Sequence, residues 1–163
     1  MPVLIRAARQ ADDRSLAALD AEVWPPELWV VPPQPTSEPF FGARRSPEDV
    51  LVAEEGDVLL GYARLGRHMP IEANAHVLHL YALAVSPAAR GRRVGSALLD
   101  AAVAEARRRG ARKLGLRALL TNGHAIALYL RHVICGTASR RRAVSGTRSG
   151  FPAAATLMTS GWR

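Results

Sequence analysis

Residues 85–99 read Val85-Ser86-Pro87-Ala88-Ala89-Arg90-Gly91-Arg92-Arg93-Val94-Gly95-Ser96-Ala97-Leu98-Leu99. An apolar stretch from Val77 to Val85 runs into this basic loop, and the loop opens directly into a segment with apolar residues at helical spacing. A turn followed by the first turn of a helix leaves several backbone N–H groups without intrahelical partners. The helix dipole adds partial positive charge at the same place. Strand, basic loop and helix in that order therefore predict an anion cradle. Gly91 can take a turn conformation closed to other residues, and Gly95 removes a side chain where a ligand would approach the backbone. The geometry suits a pyrophosphate. The sequence has no G-x-G-x-x-G dinucleotide fingerprint and no G-x-x-x-x-G-K-[ST] phosphate loop.

Working outward, Val94, Ala97, Leu98 and Ala101 form one stripe of the helix that follows the loop. The helix is expected to end at Arg107, Arg108 and Arg109 before Gly110, because cations in a last turn complement the dipole and Gly suits the position just beyond. This arginine run thus reads as a helix terminus before it reads as a nucleic-acid patch. Lys113–Leu119 is the next expected strand and Asn122–His132 the next helix, which makes a right-handed parallel strand–helix–strand unit. Upstream, His76–Val85 is apolar on both faces, the mark of a central strand covered on both sides. Val50–Glu54 and Val58–Leu65 predict a hairpin through Glu55-Gly56-Asp57.

Val3–Ala7 predicts a first strand. Asp12 and Asp13 are placed as N-cap and first-turn acids of a helix carrying Leu16, Leu19 and Val23. Seven prolines between residues 24 and 47 exclude a regular helix or central strand there. Trp24, Trp29, Phe40 and Phe41 share that stretch and either line a pocket or pin the loop to the core. His68–Ala75 reads as a polar connector, residues 136–150 as a Gly/Ser/Arg-rich segment with weak periodicity, and Ala155–Thr159 as a last strand. Together these elements predict a mixed α/β fold, with residues 1–163 forming one domain.

At 163 residues, 48% apolar and 22% charged, the chain has the composition of an ordinary globule. No run of 18 apolar residues is present, so no membrane partner is expected. The Met1–Arg6 start is not expected to be a signal peptide. The single Cys135 makes no internal disulfide and fits a reducing, cytoplasmic compartment. The net charge of +8 is uneven: residues 1–80 carry 7 basic and 12 acidic side chains, residues 81–163 carry 15 and 2. A basic half suits an anion. Nucleic acid is the rival, disfavoured because no known DNA- or RNA-reading motif appears.

Residues 76–132 resemble the GNAT superfamily of acyl-CoA-dependent N-acyltransferases. The family signature is Arg/Gln-x-x-Gly-x-Gly/Ala after a strand ending like Leu-Ala-Val-x-Pro. This chain has Leu83-Ala84-Val85-Ser86-Pro87, then Arg90-x-x-Arg93-x-Gly95. A second hallmark, Asn-x-x-Ala-x-x-Leu-Tyr, stands as Asn122, Ala125, Leu128 and Tyr129. The resemblance implies a central mixed twisted sheet flanked by helices, with the fourth and fifth strands splayed for CoA. It implies acetyl-CoA as cosubstrate, no metal, an amine acceptor, and final strands that close the acceptor site and allow a homodimer.

Roles follow residue by residue. Backbone groups of Leu83 and Val85 would hold the pantetheine arm and acyl carbonyl. Arg90, Gly91, Arg92, Arg93, Val94, Gly95 and Ser96 would bind the CoA pyrophosphate, and Asn122 would contact the pantetheine arm. Tyr129 would protonate the departing thiolate, for which a phenol of pKa about 10 is suited. His79 is the candidate base for the amine, on the fourth strand six residues before Val85; imidazole titrates in the required range. Glu54, Glu55 and Glu72 either attract a cationic substrate or are solvated turn charges.

Two departures stand out. Arg93 occupies the middle Gly of the signature, which costs little if the backbone there is near-helical and weakens CoA binding if close approach needs Gly. Tyr129 is followed by Leu130-Arg131-His132-Val133-Ile134-Cys135 without the family's Gly-Phe, which puts the final strands in question. The expected function is N-acetyl transfer to a small-molecule or peptide amine, and the alternative is a non-catalytic acyl-CoA-binding domain.

Overall fold

The computed structural model describes residues 2–24, 38–43, 45–67, 75–119, 122–135 and 154–160. Trp29, Glu72, most of the 68–75 connector and the 136–150 segment lie outside the described residues. Among the described residues six strands are hydrogen-bonded in chain order, β1 (Leu4–Ala7), β2 (Val50–Glu55), β3 (Val58–Arg67), β4 (Val77–Val85), β5 (Lys113–Leu119) and β6 (Ala154–Ser160). Three α-helices accompany them among the described residues: α1 (Asp13–Val23), α2 (Val94–Arg108) and α3 (Gly123–Cys135). The chain divides into two compact units, residues 1–65 with 82–102, and residues 66–81 with 103–163.

In the first unit, β1 pairs antiparallel with β2, and β2 with β3. The hairpin turn is tighter than expected. Glu55 is the last ladder residue, facing Val58, so Gly56-Asp57 alone turn the chain. Ala53 faces Gly61 while Glu54 faces Leu59, which leaves Leu60 as the extra residue of a bulge. Leu16, Leu19 and Val23 bury one stripe of α1 with Val50 and Val52 of β2 and Tyr62 of β3. Each such aliphatic side chain contributes about 1.5–3 kcal/mol when taken from water. The helix stops at Trp24, whose extended backbone (φ −98°, ψ 92°) is what the following Pro25 imposes.

Asp12 does not cap α1 as the sequence suggested. Its carboxylate accepts from the Arg9 backbone N–H at 2.7 Å and pairs with the Arg6 guanidinium, which also binds Glu54 across the β1–β2 ladder. Arg6 outcompetes a helix N–H because it offers two charged donors. Asp13 accepts instead from the backbone N–H of Phe41 at 2.8 Å. With Phe40 and Phe41 both buried, this end of the Pro-rich stretch is pinned to the core.

Val94, Leu98, Leu99 and Ala102 bury the first part of α2. The inward stripe is rotated from the expected one, since Ala97 and Ala101 are only half-buried.

In the second unit, α2 ends in a Schellman motif. Ala111 N–H donates to the Ala106 carbonyl and Gly110 N–H to that of Arg107, both at 2.9 Å, with Gly110 at φ 77°. Arg108 and Arg109 both bind Glu105, which is held down at about 2 chiefly by the Arg108 hydrogen bonds. The arginine run is thus a helix terminus. β4 pairs parallel with β5 from Val77–Lys113 to Leu80–Leu116. β5 pairs antiparallel along its whole length with β6, which extends the expected last strand by one residue at each end.

Candidate functional site

Within the first unit, the chain leaving β4 is anchored before it turns. The Ser86 N–H donates to the bulged Leu60 carbonyl at 2.8 Å. Pro87–Ala89 form a single 3-10 turn, Ala89 is buried, and Arg90 is extended (φ −63°, ψ 149°). Gly91 then takes φ 78° and Arg93 φ 62°, two left-handed residues one apart. For Gly91 the requirement is conformational and not spatial, because a Cβ there would meet nothing within 4 Å. Arg93 is the one non-glycine residue with positive φ among the described residues. A left-handed non-glycine residue costs about 1–2 kcal/mol. The backbone at Arg93 is thus left-handed and not near-helical, and Arg93 carries strain there.

The Arg93 carbonyl accepts from the Ala97 N–H at 3.0 Å and so starts α2. The N–H groups of Val94, Gly95 and Ser96 have no backbone partner among the described residues. The Val94 side chain is buried and fixes the helix start, while Arg90, Arg92 and Arg93 are exposed. First-turn donors and the dipole meet at the start of α2, and the loop that leads there carries three exposed arginines, of which Arg92 binds Glu55. Leu83 and Val85, half-buried on β4, lie directly upstream. The residues Arg90 to Ser96 thus form one loop-to-helix corner, as their order implied.

Close approach of β3 to this part of β4 depends on Gly61. A Cβ there would stand 2.5 Å from the Ala84 carbonyl oxygen and 3.0 Å from Leu98 Cδ1. Two of the three acids considered as cation attractors, Glu54 and Glu55, are engaged elsewhere, and Glu72 lies outside the described residues. Glu54 binds Arg6, and Glu55 binds Arg92 at 2.7 Å.

In the second unit, His79 lies on β4 opposite Gly115 of β5 and is 5% exposed. Its ring meets Tyr81 edge-on, centroids 5.0 Å apart, and the Tyr81 hydroxyl donates to the Arg67 carbonyl at 3.0 Å. Asn122 has a role that sequence reading missed: its Oδ1 accepts from the Ala125 N–H at 3.1 Å and caps α3. The Asn-x-x-Ala spacing is itself an N-cap spacing, so the signal was present.

Tyr129 is 6% exposed on α3. Its hydroxyl has no hydrogen-bond partner among the described residues, and burial pushes its pKa up to about 12. A buried hydroxyl without a partner costs about 1–3 kcal/mol. It remains protonated at neutral pH and is able to donate.

Sequence reading also passed over Asp20, Arg45 and Tyr62, which come together in the first unit. Only the Asp20-to-Trp24 spacing of one helical turn hinted at it. Among the described residues no helix is long and apolar enough to cross a membrane, and no group of three or more His, Cys, Asp or Glu is placed to hold a metal ion.

Residues 15–133 match the family described as acetyltransferase (GNAT). No curated protein matches the sequence significantly. Several solved structures share the fold. A Salmonella typhimurium protein solved with its cofactor acetyl-CoA is 20% identical, with a TM-score of 0.73 over 98% of this chain and 94% of that one. The diaminobutyrate acetyltransferase of Paenibacillus lautus, in complex with L-2,4-diaminobutyric acid and coenzyme A, is 14% identical with a TM-score of 0.71 over 98% and 95%. A ribosomal-protein-alanine N-acetyltransferase from Brucella melitensis is 24% identical with a TM-score of 0.71 over 96% and 99%.

Proposed function

This chain belongs to the acetyltransferase (GNAT) family, and from that premise we propose a direct transfer of the acetyl group of acetyl-CoA to a primary amine of a small molecule or peptide. The whole chain acts as one functional domain in this reading, in the cytoplasm, where a lone Cys135 stays reduced.

The residues present fit acetyl-CoA. The corner from Arg90 to Ser96 offers first-turn N–H donors of α2 and exposed guanidiniums to a diphosphate. Leu83 and Val85 offer backbone groups of β4 to the pantetheine arm. Asn122 caps α3 through its carbonyl oxygen and offers its side-chain N–H groups to that arm.

Acetyl-CoA supplies an activated acetyl group as a thioester. His79 takes a proton from the acceptor ammonium, directly or through water, and so delivers a neutral amine. The amine nitrogen attacks the thioester carbonyl carbon, an N–C bond forms, the nitrogen releases its second proton to solvent and the C–S bond breaks. Tyr129 gives its hydroxyl proton to the departing sulfur and regains one from solvent. No covalent bond to the protein forms.

One observation favours catalysis over mere coenzyme binding: the Tyr129 hydroxyl is buried, protonated and without a protein partner among the described residues. A binding module would gain stability from Phe at that position. The test is thiol release from acetyl-CoA over a panel of amines, with calorimetric titration of CoA and of a DNA oligonucleotide. Amine-dependent thiol release is expected. CoA binding without release for any amine favours the non-catalytic alternative, and no CoA binding at millimolar concentration ends both.

A further inference from the structure

Asp20, in the last turns of α1, uses its two oxygens differently. Oδ1 accepts from the Tyr62 hydroxyl and from the Trp24 indole N–H at 2.9 Å. Oδ2 accepts no hydrogen bond among the described residues and faces the Arg45 guanidinium at 3.7 Å. That guanidinium stands over the Phe40 ring, 4.9 Å from its centre. Phe40 meets Tyr62 edge-on with centroids 5.3 Å apart. A carboxylate set among aromatic rings, with a cation at its open oxygen, is the composition of an ammonium cage.

Arg45 fills the cage loosely. It makes an ion pair without a hydrogen bond, and the two side chains keep 27% and 24% of their surface exposed. Solvent therefore reaches the rim. Phe40, Phe41, Tyr62 and Ala84 share one buried cluster, with Trp24 and Ala82 packed against it. Ala82 and Ala84 alternate along β4 with Leu83 and Val85, so the cage lies at the strand end assigned above to the acyl arm.

We infer that Asp20, Trp24, Phe40 and Tyr62 form an acceptor subsite for an ammonium group that stays charged, and that Arg45 is an internal occupant which the acceptor displaces. An adjacent carboxylate favours the protonated form, so the nitrogen held here is not the nucleophile. The acceptor consequently carries two basic groups, one caged and one acylated. This inference rests on the acetyl-transfer reading for the word acceptor, while the cation site stands on the geometry alone.

The test uses tetramethylammonium chloride, a cation that cannot be acylated, with tert-butanol as neutral isostere. The Trp24 indole N–H resonance, assigned by its loss in Trp24→Phe, reports occupancy by NMR. Tetramethylammonium is expected to shift it saturably and tert-butanol is not. Arg45→Ala should lower the half-saturation concentration about three- to tenfold, and Asp20→Asn should abolish the response. Acetyl transfer should favour 1,4-diaminobutane over butylamine at least tenfold in kcat/KM, with the preference raised by Arg45→Ala. If Asp20→Asn does not fold, Arg45→Ala still decides: no tightening overturns the cage. Tightening with no preference for the diamine overturns its role as acceptor subsite. Tightening in a protein that transfers acetyl to no amine removes the reaction and leaves the cation site.

Discussion

Gly61 and Ala84 hold β3 and β4 so close that one added Cβ on Gly61 would stand 2.5 Å from the Ala84 carbonyl oxygen. The obstacle is backbone, which cannot swing aside as a flexible side chain would. Gly61→Ala is expected to destabilise the protein by about 1–3 kcal/mol, the range for overpacking. It should also weaken CoA binding, since the displaced strand carries Leu83 and Val85. Urea unfolding and CoA titration check this, and an unchanged midpoint would show that β4 is not held where described.

Arg93 at φ 62° is a second local measure of the same corner. Arg93→Gly relieves about 1–2 kcal/mol of left-handed strain. The greater freedom of glycine in the unfolded chain offsets about 0.4–1 kcal/mol of that gain. The net expectation is a small rise in stability for Arg93→Gly and none for Arg93→Ala. Equal stability of the two variants would mean the backbone there is not left-handed.

Tyr129→Phe separates chemistry from packing. Deleting a buried hydroxyl that has no partner among the described residues should leave stability equal or higher. Loss of a general acid should lower kcat about 10²-fold or more, with CoA affinity retained. A variant that lost stability and rate together would mark Tyr129 as a core residue only.

The same tyrosine gives an alkaline signature with a defined sign. Its folded-state pKa, about 12, lies above the unfolded value of 10.0. The folded state therefore holds the proton more tightly. This contribution is fully present below about pH 10 and is lost as pH rises through 12. Wild type should lose stability over that window more steeply than Tyr129→Phe, as thermal melts at pH 9 to 11.5 would reveal.

His79→Asn should remove the acidic limb of the kcat/KM profile and depress the rate at neutral pH. An unaltered profile assigns the proton to another group or to water alone.

Much of the fold was legible because its determinants are local. Leu16, Leu19 and Val23 at helical spacing, the alternation along Val50–Leu65, and Arg107 to Gly110 at a helix end each encode their element within a few residues. The corner from Arg90 to Ser96 was legible for the same reason. Asp12 was misread because the local rule for caps could not foresee that Arg6, held by Glu54 across the β1–β2 ladder, would take its carboxylate.

By itself, then, the sequence determined which segments are strands and helices, where the anion-binding turn lies, and which family the spacings of Arg90, Gly95, Asn122 and Tyr129 resemble. Tertiary structure alone decided that Arg93 is left-handed, that Tyr129 is buried without a partner among the described residues, and that Asp20 meets Tyr62, 42 residues away, with Arg45 beside them. Short-range spacing follows from backbone periodicity, whereas contacts between distant residues depend on how packed elements exclude water and which polar groups they leave to find one another.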